Sequence, residues 1–246
     1  MQKSEVKDLT VGSPMKLILS FAVPMLLGFL FQQFYNMVDT IIVGKCLGVS
    51  SLAAVGSTGS INFMIIGFCT GACSGFAIPV AQKFGEHDFA GLKRYAVNAI
   101  MISVAFSLVV GLLVSCLCRT FLVWMNTPAD IFADSRRYIF IIFMGIPATF
   151  LYNLLAGVIR SLGDSKTPVY FLALSSFLNI FLDFTLILYF KAGVAGAALA
   201  TVTSQTVSGL ACLVYMRKKY AILRTSKEER RLDGHSCRTL CMMGIP

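Results

Sequence analysis

Ten of the chain's twelve acidic residues lie in polar stretches, whereas Asp39 and Asp183 stand inside long apolar runs. A carboxylate at membrane depth costs at least ~2.5 kcal/mol on insertion scales, so each of these two calls for a reason. Asp39 follows Asn36 by three positions and Asp183 follows Asn179 by four, so on helices each amide shares a face with its carboxylate. At a rise of about 1.5 Å per residue, Asp39 falls about one turn and Asp183 about two turns from the same side of their runs. Both carboxylates therefore sit at similar depth. Two carboxylates with nearby amides and hydroxyls make a cage of hard oxygens, suited to Na⁺ or to a shared proton. Thr201, Thr203, Ser204, Gln205 and Asn153, on other runs, are the candidates to complete it. The competing reading is structural: Asp39 faces the headgroup layer or bonds to Thr40 and nearby backbone, and Asp183 is a framework residue.

Such residues need helices to position them, and the composition supplies the helices. The chain has 246 residues, 57% hydrophobic and 13% charged, with a mean hydropathy of +0.77. A soluble domain carries roughly 25% charged residues, so a water-soluble globule is excluded. Apolar runs at Met15–Val43, Leu52–Lys83, Arg94–Cys118, Asp134–Arg160, Pro168–Phe190 and Ala195–Lys219 each reach the ~20 residues that cross ~30 Å of hydrocarbon. The fold class is all-α integral membrane, with six spanning helices. The termini and even-numbered loops hold 16 of the 21 Lys and Arg residues, which places both ends in the cytoplasm. Residues 1–14 form a cytoplasmic N-terminus, 15–219 the six-helix lobe, and 220–237 a charged linker. Residues 238–246 match the start of the first helix: a basic residue stands eight positions before a proline, as in Lys16…Pro24 and Arg238…Pro246. A second six-helix repeat is expected to start there, with the chain stopping a few residues into it.

Packing features are also legible. Gly67, Gly71 and Gly75 recur every four residues, as do Gly196, Ala200, Ser204 and Ser208, stripes that let another helix approach closely. Pro24, Pro79 and Pro147 lie within spans and loosen or bend them. Asn98, near the start of the third span, is expected at the interface, and Trp124 as an outer anchor. The eight cysteines form no disulfide or zinc spacing and read as small buried apolar residues.

The absences narrow the function. There is no G-x-x-x-x-G-K-[ST] phosphate loop, no H-E-x-x-H and no G-x-S-x-G. Neither membrane aspartate carries the Gly-x-Gly-Asp pattern of intramembrane aspartyl proteases. The net charge of +9 is spread over loops rather than gathered on a domain with stacking aromatics, which argues against nucleic acid as a partner.

With these residues assembled, the chain resembles the multidrug and toxic compound extrusion (MATE) family of antiporters, from about residue 10 onward. The most specific stretch is Gly157-Val-Ile-Arg160-Ser161-Leu162-Gly163-Asp164-Ser165-Lys166-Thr167-Pro168, similar to that family's loop between helices four and five. Val38-Asp39-Thr40-Ile-Ile-Val-Gly44, Asn179-Ile-Phe-Leu-Asp183 and Gly193-Val-Ala-Gly196-Ala-Ala-Leu-Ala-Thr201 also match. The resemblance implies a pseudo-symmetric transporter of twelve helices, of which this chain supplies one lobe, the C-terminal lobe being its missing partner. It implies efflux of amphipathic, cationic drugs or toxic compounds from the cell (inner or plasma) membrane by alternating access, with H⁺ or Na⁺ as coupling ion and no cofactor. Carried over, Asp39 and Asp183 bind the coupling ion, as metal ligands only if that ion is Na⁺. Asn179 and Thr201 contribute neutral oxygens, with Asn36, Asn153 and Gln205 as support. A flippase for lipid-linked sugars or cell-wall precursors shares this architecture. A non-transporting membrane assembly subunit is the alternative of another class, and a membrane enzyme is disfavoured by the missing motifs.

Overall fold

The computed structural model of the chain describes residues 13–223 and 233–244. Most of the expected N-terminal segment, the linker at 224–232 and the last two positions, including Pro246 of the repeat match, lie outside the described residues. Helix α1 spans Pro14–Leu47, α2 Val49–Gly85, α3 Phe89–Trp124, α4 Ala129–Met144, α5 Ile146–Ser161, α6 Lys166–Asp183, α7 Gly193–Lys219 and α8 Gly234–Gly244. Five of these are long and apolar enough to cross a membrane, and the α4–α5 pair makes a sixth span if taken as one bent unit.

Most helices outrun their apolar segments. At 37 residues α2 is about 55 Å long, well past the hydrocarbon thickness. Its end carries Lys83, which pairs with Glu86 at 2.7 Å, and Asp88 caps α3 by accepting from the Gly91 N–H at 2.9 Å. Polar turns of this kind are helical but too charged to read as membrane span. The joint between α1 and α2 is a single residue, Gly48, at φ +87°, a conformation that costs a side-chain-bearing residue dearly.

The fourth span departs from the single helix expected at Asp134–Arg160. It is two helices meeting at Gly145 with a 44° bend, and Pro147 occupies the first turn of α5. Pro147 lacks the N–H that would continue the ladder, and a proline is comfortable only in a helix's first turn. Gly145 is where α7 comes closest: a Cβ there would overlap the side chain of Val202. The fifth span also changes character. Just after Asp183, residues Phe184–Tyr189 form a wide π turn, with the Phe190 N–H donating to Thr185 O at 3.1 Å.

The core lies between α2, α3, α5 and α7. Phe76, Phe106 and Phe150 meet there in edge-on and tilted pairs, in the same cluster as Phe143, Ile146 and Leu154. On α7 two members of the small-residue stripe make close contacts, Gly196 with Leu186 and the Ser208 hydroxyl donating to Phe171 O, and Gly209 beside the stripe meets Leu151. On α2 only one of the three glycines does so. Gly67 and Gly71 face open space, while Gly75 lies directly under the Met243–Gly244 backbone of α8. Helix α8 starts at Gly234 rather than at Arg238, and it docks on α2 and α3. Asn98 is accordingly not interfacial: it is fully buried, and its Oδ1 accepts from the Asp233 N–H at 3.1 Å. By contrast α1 rests on α2 and α6 along one edge, leaving Leu19, Leu26, Leu27, Leu30 and Phe34 exposed.

Candidate functional site

Asp39 on α1 and Asp183 at the end of α6 stand against one another, although 144 positions separate them. Asp183 and Asn179, one turn earlier, are both fully buried. Asn179 donates from Nδ2 to the Thr201 hydroxyl on α7 at 3.3 Å, and that hydroxyl donates to Ala197 O at 3.1 Å. The four residues Asp39, Asn179, Asp183 and Thr201 therefore come together from three helices. Tyr35, one turn before Asp39, stands beside Thr201, and the buried Tyr138 of α4 faces the same carboxyls.

What sets the cluster apart is a shortage of donors. Asp39 Oδ1, both carboxyl oxygens of Asp183 and Asn179 Oδ1 are all buried without a hydrogen-bond partner. Two carboxylates side by side in a low-dielectric interior repel, and each orphaned acceptor adds a desolvation cost of about 1–3 kcal/mol. A proton between the carboxyls, or a small hard cation among the four oxygens, removes both penalties at once. The headgroup-facing reading of Asp39 does not fit this geometry. The Thr40 hydroxyl donates to Asn36 O at 2.8 Å, so it is not bonded to Asp39.

The supporting residues divide. Asn36 is exposed and donates to Gln33 Oε1 at 3.3 Å, away from the carboxyls. Thr203 is exposed, and Ser204 turns back to Thr201 O at 2.9 Å. Asn153 donates to Thr149 O at 2.8 Å, and Gln205 accepts from the Thr149 hydroxyl. Asn153 and Gln205 line not the carboxylate pair but a cavity of about 270 Å³ between α1, α2, α5, α6 and α7. Tyr35 lines the same cavity and so adjoins both places. Sequence reasoning missed Tyr35, Tyr138 and Thr149, because a tyrosine or threonine in an apolar run carries no signal of its own. It also assigned Arg160 to a loop, whereas Arg160 is in the last turn of α5 and lines the cavity.

Beyond the cavity, the loop between α5 and α6 is held by Asp164. Its carboxylate accepts from the Lys166 and Thr167 N–H groups at 3.0 Å, the Thr167 hydroxyl at 2.6 Å and the Tyr220 hydroxyl at 2.6 Å, with Lys219 at 3.8 Å. Partial burial pushes this carboxyl up, but the bonds from Thr167, Tyr220 and Lys166 outweigh it and hold the group below the usual carboxylate range. Gly163, at φ +84°, makes the preceding turn.

The chain is similar to known proteins. The MatE family model matches residues 24–185. Probable multidrug resistance protein YoeA of Bacillus subtilis is 34% identical over 233 residues, covering 92% of this chain and 50% of that protein. Probable multidrug resistance protein YpnP of the same organism is 31% identical over 211 residues, covering 86% of this chain and 47% of that protein. A solved MOP superfamily transporter from Pyrococcus furiosus superposes on all of this chain with a TM-score of 0.90 at 25% identity, over 54% of its own length. The chain thus spans about half the length of the relatives it matches.

Proposed function

The chain belongs to the MatE family, and from that premise we propose that it is a cation-coupled lobe of a secondary efflux transporter. The lobe exchanges H⁺ or Na⁺ for amphipathic, cationic compounds by alternating access, in an inner or plasma membrane with both described ends cytoplasmic. The C-terminal half of the full-length relatives supplies the opposite wall, against which the exposed apolar face of α1 packs.

One observation carries this reading: the donor-poor cluster of Asp39, Asn179 and Asp183, with four orphaned oxygens. It spans α1 and α6, and α7 reaches it through Thr201, so a cation bound there ties the three helices together, and its release lets the carboxylates push apart. A ligand shifts a conformational equilibrium only by its differential affinity for the two states. A cluster that is stable only when neutralised has that differential built in.

The test uses the complete gene product in proteoliposomes. With a pH or Na⁺ gradient imposed, release of ethidium is followed for the wild type and for Asp39→Asn and Asp183→Asn. Gradient-driven release that disappears in each variant is expected. Release independent of any gradient, or full release in the double variant, overturns the antiport mechanism. A flippase of the same architecture would move a fluorescent lipid-linked sugar in this assay instead of ethidium. An assembly subunit would move neither.

A further inference from the structure

We propose that Arg160 is the docking point for an oxyanion, so that the cavity takes zwitterionic amphiphiles. The phosphate, sulfonate or carboxylate of such a molecule sits at Arg160 and its positive group lies toward Tyr35 and the carboxylate pair.

Among the described residues that line the cavity, Arg160 is the one charged side chain, and no acid lines it. The rest of the polar lining is neutral and includes the hydroxyls of Thr70, Ser74 and Ser165 and the amides of Asn153 and Gln205. Arg160 is half-buried, and no ion pair or hydrogen bond engages its guanidinium among the described residues. Two titratable groups close enough to act on it electrostatically are Tyr152 and Cys73. Both already donate elsewhere, the Tyr152 hydroxyl to Pro168 O at 2.9 Å and the Cys73 thiol to Phe150 O at 3.7 Å. The closest acid in sequence, Asp164, is committed to Thr167, Lys166, Tyr220 and Lys219. Among the described residues, then, this guanidinium has no counter-charge, and it borders a cavity of mixed polar and apolar lining.

A charge drawn partly out of water at the end of a span, with no partner among the described residues, is costly and marks a candidate functional position. A guanidinium presents its N–H groups as a planar fork that matches two oxygens of a phosphate or carboxylate. With oxygen acceptors gathered beside Tyr35 and a lone cation at Arg160, the two places have opposite polarity. A zwitterion can place its oxyanion at Arg160 and direct its positive group along the cavity toward those acceptors.

The proposal rests on the transporter reading only for the cavity's being a substrate path, so binding is measured without transport. The complete gene product in nanodiscs is titrated with octylphosphocholine and with octyltrimethylammonium, which share tail and cation but differ in the phosphate. Wild type is expected to bind both saturably. Arg160→Gln is expected to weaken octylphosphocholine about tenfold or more, as loss of a charge-assisted hydrogen bond does, and to leave octyltrimethylammonium unchanged. Arg160→Lys, which keeps the charge but loses the fork, is expected to restore part of the affinity. Discs of uncharged galactolipid and of phosphatidylcholine separate the sources of the oxyanion. Octylphosphocholine binding that is suppressed in phosphatidylcholine assigns the site to a lipid headgroup, and equal binding in both assigns it to a soluble amphiphile. The proposal is overturned if Arg160→Gln leaves octylphosphocholine unaffected, as for an arginine that only reaches to the headgroup layer. It is also overturned if both variants weaken both ligands alike, or if octylphosphocholine fails to bind in either disc. A chain that binds in this pattern yet does not pump would refute the antiport mechanism and leave the oxyanion site standing.

Discussion

Asp183→Asn should make the protein more stable and inert at the same time. In the wild type Asp39 Oδ1 and both oxygens of Asp183 are buried acceptors that receive no hydrogen bond. Asparagine keeps the volume of the side chain, removes one carboxyl and brings two N–H donors to the place where Asp39 waits for one. Satisfying one orphaned acceptor is worth about 1–3 kcal/mol. For a unit of 150–250 residues each kcal/mol moves Tm by roughly 2–4 °C. The variant is therefore expected to melt about 2–12 °C above wild type when the purified protein is heated at pH 7. Gradient-driven ethidium release should fall to background, because an amide neither releases a proton nor balances a cation. A variant that melts lower and still pumps would refute the reasoning on both counts. A variant that melts lower and does not pump would instead make Asp183 a framework residue.

Three further outcomes are expected. Gly145→Val should cost about 1–3 kcal/mol by overpacking, since even a Cβ there overlaps Val202, and thermal unfolding reads it directly. Asp164 has a folded-state pKa held below its unfolded value, so its stabilisation is present above the unfolded pKa of about 3.9 and is lost as pH falls through the folded one. The wild type should thus lose more Tm between pH 6 and pH 3, taken as rough bounds on that window, than Asp164→Asn does. Asn98→Ala removes the acceptor of the Asp233 N–H and should free α8, seen as faster hydrogen exchange over residues 233–244 with α5 and α7 unchanged.

The carboxylate pair was legible because charge inside an apolar run is rare, and because a constant helical rise converts sequence distance into depth. For the same reason Asn179 and Thr201 could be placed with it. What escaped was whatever depends on which helix touches which. Asn36 satisfies the same spacing rule as Asn179, yet it lies on the uncovered side of α1 beside Gln33, because α1 is covered on one edge only. Asn98 is polar and near a helix start, which reads as interfacial until α8, 135 positions later, buries it. The bend at Gly145 is hidden because a proline two residues on is equally compatible with a kinked helix and with a new one. Arg160 counted as loop charge, since the apolar run ends there while the helix and the cavity wall do not.

The π turn after Asp183 implies a spare residue. An i→i+5 turn is what remains when an α-helix has taken in one position without lengthening by a full step. Deleting any one of Phe184–Tyr189 should therefore be absorbed by reverting to α-helical pitch rather than by unfolding the span. The shortened helix would still present Asp183 in step with the Gly193 turn that follows. Phase, more than continuity, is what the six residues Phe184–Tyr189 maintain. The chain thus has slack between its buried carboxylate and the next helix, enough to take up a single-residue change in length.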